Sequence, residues 1–259
     1  MNTGGTSAIV LAIAAAGLLA CGPGGPPRDY SIVQQVPHDP QAYTQGLVYQ
    51  DGVLYESVGE YGRSGLRRVT LATGAVEASV QLTPDRFGEG LALLNGRLYQ
   101  LTWKSKVGYV YDAATLGLVD SFAYTGEGWG LATDGKALIM SDGTPTLRFI
   151  DPATFAVLRQ VEVTSEGAPV KELNELEFVK GELFANIYRS DFIIRIDPAS
   201  GEVRQWINLA GLLSSDERTP NLDVLNGIAY DEVSGNLWVT GKRWPAMFEI
   251  SIKREASKR

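Results

Sequence analysis

The stretch EGLALLNGRLYQLTW, residues 89–103, consists of two short apolar segments on either side of Asn95-Gly96. Asn-Gly between apolar runs is among the strongest short-range signals for a β-hairpin. The first segment begins with a carboxylate, Glu89, between Gly88 and Gly90. Glycines on both sides indicate that backbone or a ligand approaches closely at this position. The stretch therefore predicts a hairpin whose first strand starts with an acidic side chain in a crowded place.

The same pattern occurs five times along the chain. The units are QGLVYQDGVLYESVG from Gln45, EGLALLNGRLYQLTW from Glu89, WGLATDGKALIMSDG from Trp129, NELEFVKGELFANIY from Asn174 and NGIAYDEVSGNLWVTGK from Asn226. Two further short strands, joined by turn-forming residues, follow the hairpin in each of the first four units. Four antiparallel strands in every ~40–50 residues are typical of the blades of a β-propeller.

The two ends of the repeat array complement each other. The fifth unit ends after three predicted strands, whereas YSIVQQV, residues 30–36, precedes the first unit and has no partner. We therefore predict an all-β domain over residues 30–259, a five-bladed β-propeller of four-stranded antiparallel blades, with the N-terminal strand completing the last blade. A β-solenoid or β-sandwich fits this pairing of ends less well. The insertion LAGLLSSDERTPNLDV, residues 209–224, is expected to form a short helix and a loop.

The N-terminus has the pattern of an export signal. Residues 8–20 form an apolar run of 13, which is too short to span a bilayer and typical of a signal-peptide h-region. The run leads into Leu18-Leu19-Ala20-Cys21, which resembles a bacterial lipobox. We expect a lipoprotein-type signal peptide over residues 1–20, a lipid on Cys21 and a linker over residues 21–29. Because MNTGGTS carries no Lys or Arg, an ordinary cleaved signal peptide is the alternative.

These features predict the surroundings of the domain. It would be exported and lipid-anchored to the bacterial cell envelope, on the periplasmic side or at the outer membrane, with Cys21 as its only membrane contact. The formal net charge of −7 argues against a nucleic-acid partner. Nothing in the chain requires more than a monomer.

Two rings of side chains are predicted at one mouth of the propeller. The first strand of each blade lines the central channel and the second runs antiparallel to it, so the start of the first and the end of the second share a face. The first ring is Gln45, Glu89, Trp129, Asn174 and Asn226, and the second is Gly59, Trp103, Gly143, Tyr188 and Lys242. Unlike polar groups between apolar walls indicate a small-molecule pocket. A water-filled mouth without a ligand is the alternative.

The chain resembles the plant-type glutaminyl cyclases (glutaminyl-peptide cyclotransferases), which are five-bladed β-propellers with bacterial members. The matching stretches are HDPQAYTQGL (38–47), YESVGEYGRSGLR (55–67), FGEGLAL (87–93), LTW (101–103), EGWGLATDG (127–135), LNELEF (173–178), VLNGIAYD (224–231) and VTGKRWP (239–245). The resemblance implies an acyltransferase that cyclises N-terminal glutaminyl residues of peptides or proteins to pyroglutamate and releases ammonia. It implies Glu89 as the catalytic acid and base. The substrate-binding residues that it implies are Gln45, Trp103, Trp129, Asn174, Lys242, Tyr188 and Tyr43, although the family usually has Trp where this chain has Tyr188.

The reaction gives these residues expected roles. Burial in an aromatic pocket should raise the pKa of Glu89, which suits a group that takes and returns a proton. An indole N–H of Trp103 or Trp129 is expected to donate to the γ-carbonyl of the substrate. Lys242 would stabilise the developing oxyanion or favour the anionic form of Glu89.

Residue counts limit the metal chemistry. The chain has one His and one Cys, so a zinc site built from His and Cys ligands cannot be assembled. We expect no required cofactor and no catalytic metal. A structural Ca²⁺ remains open, with solvated or turn-capping acids as the alternative; the acids near the channel strands are Asp142, Glu175, Glu177, Asp223 and Asp231. His38 is predicted to be structural and Glu56 to support the pocket.

Two other function classes fit the repeat pattern. One is a lactonase-type propeller hydrolase, which would need Ca²⁺ held by carboxylates and amides at the channel centre. The other is a non-catalytic propeller that binds a peptide or glycan.

Overall fold

The computed structural model describes residues 29–253, almost all of them in β-strands and turns. The predicted signal peptide, the lipidation site Cys21, all but the last residue of the linker and the final residues 254–259 lie outside this part of the chain. Between residues 29 and 253, no helix has the length and apolar character needed to cross a membrane.

Five four-stranded antiparallel sheets form the predicted blades. Strand β1 (Tyr30–Pro37) precedes them. The first blade contains β2 (Thr44–Gln50), β3 (Val53–Val58), β4 (Gly65–Thr70) and β5 (Ala75–Gln81). The second contains β6 (Gly88–Leu94), β7 (Arg97–Thr102), β8 (Val107–Asp112) and β9 (Leu118–Ala123). The third contains β10 (Leu131–Thr133), β11 (Leu138–Met140), β12 (Thr146–Ile150) and β13 (Val157–Glu162).

A small hairpin, not predicted from the sequence, follows the third blade and consists of β14 (Thr164–Ser165) and β15 (Ala168–Pro169). The fourth blade contains β16 (Leu173–Val179), β17 (Glu182–Ile187), β18 (Phe192–Ile196) and β19 (Val203–Asn208). The fifth contains β20 (Leu225–Tyr230), β21 (Leu237–Gly241) and β22 (Ala246–Ile252). The insertion before β20 includes a short 3₁₀ helix, Ser215–Glu217, as expected.

The ring closes through the N-terminal strand. β1 pairs antiparallel with β22, from Tyr30 opposite Ile252 to Pro37 opposite Ala246, and becomes the outer strand of the fifth blade. The five-bladed architecture and the mode of closure are therefore confirmed. Because β1 and β22 pair with each other, the first and last strands of the domain both belong to one sheet.

The innermost strands approach each other so closely that glycine is required. A Cβ on Gly90 would lie 2.4 Å from the backbone nitrogen of Leu131 in the next blade, and a Cβ on Gly46 would lie 2.5 Å from that of Leu91. Real side chains cannot adopt such contacts, so the close approach predicted around Glu89 is backbone against backbone.

The fourth blade breaks this glycine pattern with Glu175. Its buried carboxyl accepts hydrogen bonds from the backbone N–H groups of Leu47, at 3.3 Å, and Ile228, at 2.9 Å. These two residues belong to the first and fifth blades. The side chain thus connects three blades in the centre of the channel.

Candidate active site

Backbone irregularities aim the first-ring side chains. The pairing of the first two strands shifts register between Thr44 and Gly46 in the first blade, and at the equivalent position in the second, fourth and fifth blades. A β-bulge inserts an extra residue and turns its side chain away from the regular alternation of the strand. Gln45, Glu89, Asn174 and Asn226 all lie within these shifts.

The second ring is attached to the first by backbone hydrogen bonds. In four blades the backbone N–H of the second-ring residue donates to the backbone carbonyl two positions before the first-ring residue of the same blade. These hydrogen bonds run from Gly59 to Tyr43 at 2.8 Å, from Trp103 to Phe87 at 2.9 Å, from Tyr188 to Glu172 at 2.9 Å and from Lys242 to Val224 at 2.9 Å. In the third blade Gly143 donates to Leu173 of the neighbouring blade, at 3.2 Å. The two rings therefore lie side by side at one mouth, as the repeats predict.

Glu89 is buried and held by a line of amides. Only 5% of its surface is exposed, and Nε2 of Gln45 donates to its Oε1 at 3.3 Å. Nδ2 of Asn226 donates to the carbonyl of Thr44 at 3.0 Å and lies 3.5 Å from Oε1 of Gln45. Asn226 was placed in the first ring from the sequence but was not assigned to the site. Its contacts orient the amide of Gln45 so that the N–H side faces Glu89.

The electrostatic setting of Glu89 favours the neutral acid. Burial raises the pKa of its carboxyl, the Lys242 ammonium lowers it, and the Glu127 carboxylate raises it again, with a result well above the ordinary value. Lys242 is itself only 3% exposed. Burial lowers the pKa of its ammonium, while Glu89 and Asp223 act in the opposite direction. Each group is thus shifted toward its neutral form.

Lys242 lies between two aromatic rings. Its Nζ is 5.0 Å from the ring centroid of Tyr43 and 5.1 Å from that of Tyr188. The hydroxyl of Tyr43 donates to Oδ2 of Asp223 at 3.0 Å, and burial together with this carboxylate raises the pKa of the tyrosine. Cation–π attraction from two faces holds the ammonium at the mouth. Asp223, considered in the sequence only as a possible calcium ligand, positions one of these faces.

A second carboxylate, Glu127, connects the two indoles. Nε1 of Trp103 donates to Oε2 of Glu127 at 2.6 Å, and Nε1 of Trp129 donates to the same oxygen at 3.0 Å. Both indole N–H groups donate to Glu127 here, and the predicted donation from an indole to the substrate stays a prediction. Glu127 lies inside the EGWG stretch that carried the family resemblance, but no pattern in the sequence distinguishes it from its neighbours.

The aromatic walls fill the space left by the two ring glycines. A Cβ on Gly59 would lie 2.4 Å from the ring of Phe87, and one on Gly143 would lie 2.8 Å from the indole of Trp129. Phe87 packs edge-on against Trp103 with ring centroids 5.7 Å apart. The two glycines therefore make room for the walls of the pocket.

A buried charged cluster lies behind the first blade. Oε1 of Glu56 is 3.0 Å from Nε2 of His38 and accepts a hydrogen bond from Thr44 at 2.7 Å, while Arg67 donates to its Oε2 at 2.5 Å. Nδ1 of His38 bonds the carbonyl of Trp244 at 2.7 Å. His38 thus has the structural hydrogen bonds that were predicted, and the role of Glu56 in supporting the pocket, through Thr44 next to Gln45, stays a prediction.

The acids considered for a structural calcium have other partners. Asp142 pairs with Arg148, Glu175 and Glu177 accept backbone N–H groups, Asp223 accepts from Tyr43, and Asp231 caps a turn at Val233. In the part of the chain from residue 29 to residue 253, no three His, Cys, Asp or Glu side chains are placed to share a metal ion.

The carboxylate of Glu127 should affect both the positions of the two indoles and the pKa of Glu89. In Glu127→Gln the oxygen that accepts both indole N–H groups becomes a neutral amide oxygen, so both hydrogen bonds weaken, the walls are held less firmly, and turnover should fall by about tenfold to a hundredfold. Removing the negative charge should also lower the pKa of Glu89, because Glu127 raises it. The pH profile of kcat/KM measures this as a shift toward lower pH.

The matched control for this variant is Glu166→Gln, at an exposed turn of the β14–β15 hairpin. It should leave both the rate and the profile unchanged. A Glu127→Gln enzyme with wild-type rate and profile would show that Glu127 does not position the site.

Comparisons with known proteins agree on one family. A family model of glutamine cyclotransferases matches residues 7–252. The glutaminyl-peptide cyclotransferase of Arabidopsis thaliana is 45% identical over 237 residues, which cover 89% of this chain and 73% of that protein. The crystal structure of Myxococcus xanthus glutaminyl cyclase superposes with a TM-score of 0.80 at 36% identity, covering 86% of this chain and 96% of that one.

Proposed function

The chain belongs to the glutamine cyclotransferase family and is a glutaminyl cyclase, and we propose that Glu89 moves the proton in its reaction. The substrates are peptides or proteins with an N-terminal glutaminyl residue, and the products are pyroglutamate and ammonia. One observation carries the assignment of Glu89. It is a buried carboxyl with a raised pKa, placed at a mouth that also contains two indoles and an ammonium.

The reaction is an intramolecular aminolysis. The α-amine nitrogen attacks the γ-carboxamide carbon and forms the bond that closes a five-membered ring. The bond from that carbon to the amide nitrogen then breaks, and one proton passes from the attacking to the leaving nitrogen. An amide anion is a poor leaving group, so the protein must deliver that proton as the bond breaks.

Glu89 is suited to both halves of this transfer. Gln45 donates to its Oε1, which leaves Oε2 to carry the proton of the neutral acid. Oε2–H protonates the leaving nitrogen, and the resulting carboxylate takes a proton from the ring nitrogen. Positioned proton transfer of this kind is worth roughly 10²–10⁴-fold. Lys242 stabilises the transient carboxylate and the oxyanion, because it is the ammonium that lowers the pKa of Glu89.

The remaining residues select the reactive shape of the substrate. Trp103, Trp129 and Tyr188 supply aromatic walls against the methylene groups of the glutaminyl side chain and favour its folded-back rotamer. Oδ1 of Asn174 has no hydrogen-bond partner among the described residues. It is available to accept a hydrogen bond from the α-amine or the carboxamide. Tyr43 completes the wall beside Lys242.

We propose that the reaction needs no metal. The chain lacks the His and Cys residues of a zinc site, and its buried acids have protein partners. We also propose that the enzyme is a monomer. The pattern of the N-terminal segment, which lies outside the described residues, supports the further proposal that a lipid on Cys21 anchors the enzyme at the cell envelope.

Incubation with a Gln-initiated dipeptide tests the proposal. We expect one ammonia and one pyroglutamyl product for each dipeptide consumed, with the rate unchanged after treatment with a chelator. The matched Asn-initiated dipeptide should remain intact, because the same attack would close a strained four-membered ring. Folded protein that releases no ammonia from the Gln dipeptide would refute the proposed reaction. Turnover that stops with the chelator and returns with Ca²⁺ would refute the metal-free mechanism.

A further inference from the structure

An exposed aromatic ring continues the pocket wall to the surface. Tyr61 is 54% exposed, and its ring lies edge-on to Phe87 with centroids 5.3 Å apart. Phe87 contacts Trp103 of the pocket wall at 5.7 Å. The three rings therefore form a continuous apolar path from the pocket to the rim.

The loop that carries Tyr61 is fixed on both sides of the ring. Glu60 has a φ of 86° and forms an ion pair with Arg243, the residue after Lys242. The N–H of Gly62 donates to the carbonyl of Pro84 at 3.0 Å. Ser64 is bonded to Glu60 and to Gly88, next to Glu89. A ring held in this way loses little conformational freedom when a ligand packs on it.

Three other aromatic rings at the mouth, those of Trp103, Tyr188 and Tyr43, each have a cation over them. Nζ of Lys104 is 3.8 Å from the ring centroid of Trp103, the guanidinium of Arg189 is 5.1 Å from Tyr188, and that of Arg243 is 5.5 Å from Tyr43. Among residues 29–253, no cation is placed over Tyr61 or Phe87. Tyr61 and Phe87 thus form an apolar segment of the rim.

We propose that Tyr61 and Phe87 bind the side chain of the second substrate residue and favour an aromatic one. This inference rests on the proposed function, since it concerns a peptide whose glutaminyl end occupies the pocket. Successive residues of an extended peptide are about 3.3–3.6 Å apart, so the second residue must lie at or near the rim. Aromatic side chains pack well on exposed aromatic edges, whereas the cations elsewhere on the rim disfavour a basic residue.

The test compares Gln-Phe-amide with Gln-Ala-amide. An aromatic contact is worth about 0.5–1.5 kcal/mol, so wild-type kcat/KM should be roughly two- to tenfold higher for Gln-Phe-amide. In Tyr61→Ala this ratio should approach one, through a rise in KM for Gln-Phe-amide. Tyr61→Phe should keep the ratio, because only the ring is needed. The ratio does not depend on how much of each preparation is folded.

The matched control is Trp206→Ala, which removes another exposed aromatic ring, on β19 of the fourth blade. It should leave the ratio unchanged. A wild-type ratio near one, a ratio unaffected by Tyr61→Ala, or faster turnover of Gln-Glu-amide than of Gln-Phe-amide would overturn the inference.

Binding to Glu89→Gln, measured by calorimetry, separates this inference from the proposed reaction. If Gln-Phe-amide binds more tightly than Gln-Ala-amide while the wild type releases no ammonia, the aromatic surface is supported and the reaction is refuted. If ammonia is released but the two dipeptides bind equally well, the reaction is supported and the surface is refuted.

Discussion

Replacing Glu89 with Gln is expected to lower turnover of a Gln-initiated dipeptide by at least about a hundredfold, since positioned proton transfer supplies 10²–10⁴-fold. The amide has nearly the same shape and can still contact Gln45, but it cannot give up and regain a proton. The measurement is the steady-state rate of ammonia release. More than a tenth of wild-type turnover in the folded variant would refute the assignment.

The same substitution should not destabilise the protein. The pKa of Glu89 is raised in the folded state, so unfolding releases a proton at pH values between the unfolded and the folded pKa. Its contribution to stability is therefore greatest below the unfolded pKa of about 4.3 and is lost as the pH rises. Glu89→Gln removes this dependence, so its Tm relative to wild type should be higher at pH 8 than at pH 5. A Tm below that of the wild type at both pH values would mean that Glu89→Gln is inactive because it is poorly folded. Glu89→Asp is the control, because it keeps a carboxyl group at this position.

Replacing Glu56 with Ala is expected to destabilise the fold by about 3–5 kcal/mol, the usual result of removing one partner from a buried ion pair. Glu56 is completely buried, and the variant leaves Arg67 and His38 without their shared carboxylate. The cluster also joins the first blade to the fifth, because His38 bonds the carbonyl of Trp244. Urea unfolding at pH 7 measures the difference in free energy.

The stabilisation from this ion pair depends on pH in opposite directions for His38 and Glu56. Burial opposes the charge on His38, but Glu56 outweighs it and raises the pKa of the imidazole, so this stabilisation is lost as the pH rises above that pKa. Burial likewise opposes the charge on Glu56, while Arg67 and His38 hold its pKa well below the ordinary value. That stabilisation is lost as the pH falls below about 4.3. Glu56→Ala should flatten the stability profile in both directions.

An exposed ion pair provides the control for Glu56. Glu202 contacts Arg204 at 2.8 Å, with 57% and 45% of the two side chains exposed, so Glu202→Ala should change stability by less than about 1 kcal/mol. A Glu56→Ala variant no less stable than Glu202→Ala would show that the buried cluster does not hold the blades together.

The architecture was predictable from the pattern of the chain alone. The hairpin of EGLALLNGRLYQLTW depends on strand alternation and on Asn95-Gly96, both local properties of the chain. Repetition of that unit set the number of blades, and the unmatched strand at residues 30–36 set the mode of closure. The two rings of side chains at the mouth were predictable as well, because antiparallel pairing determines which strand ends lie on the same face.

Which side chains meet at the mouth was not predictable from the pattern, because it depends on how the blades pack in three dimensions. Glu127 binds the indoles of Trp103 and Trp129, which lie 26 residues apart in the chain, and no local pattern distinguishes it from other acids in turns. Asn226 reaches Gln45 across the closure of the ring. These contacts depend on bulges and on side-chain directions at the mouth. Such features come from the packing of blades distant in sequence, whereas hairpins and repeats depend on residues close together along the chain.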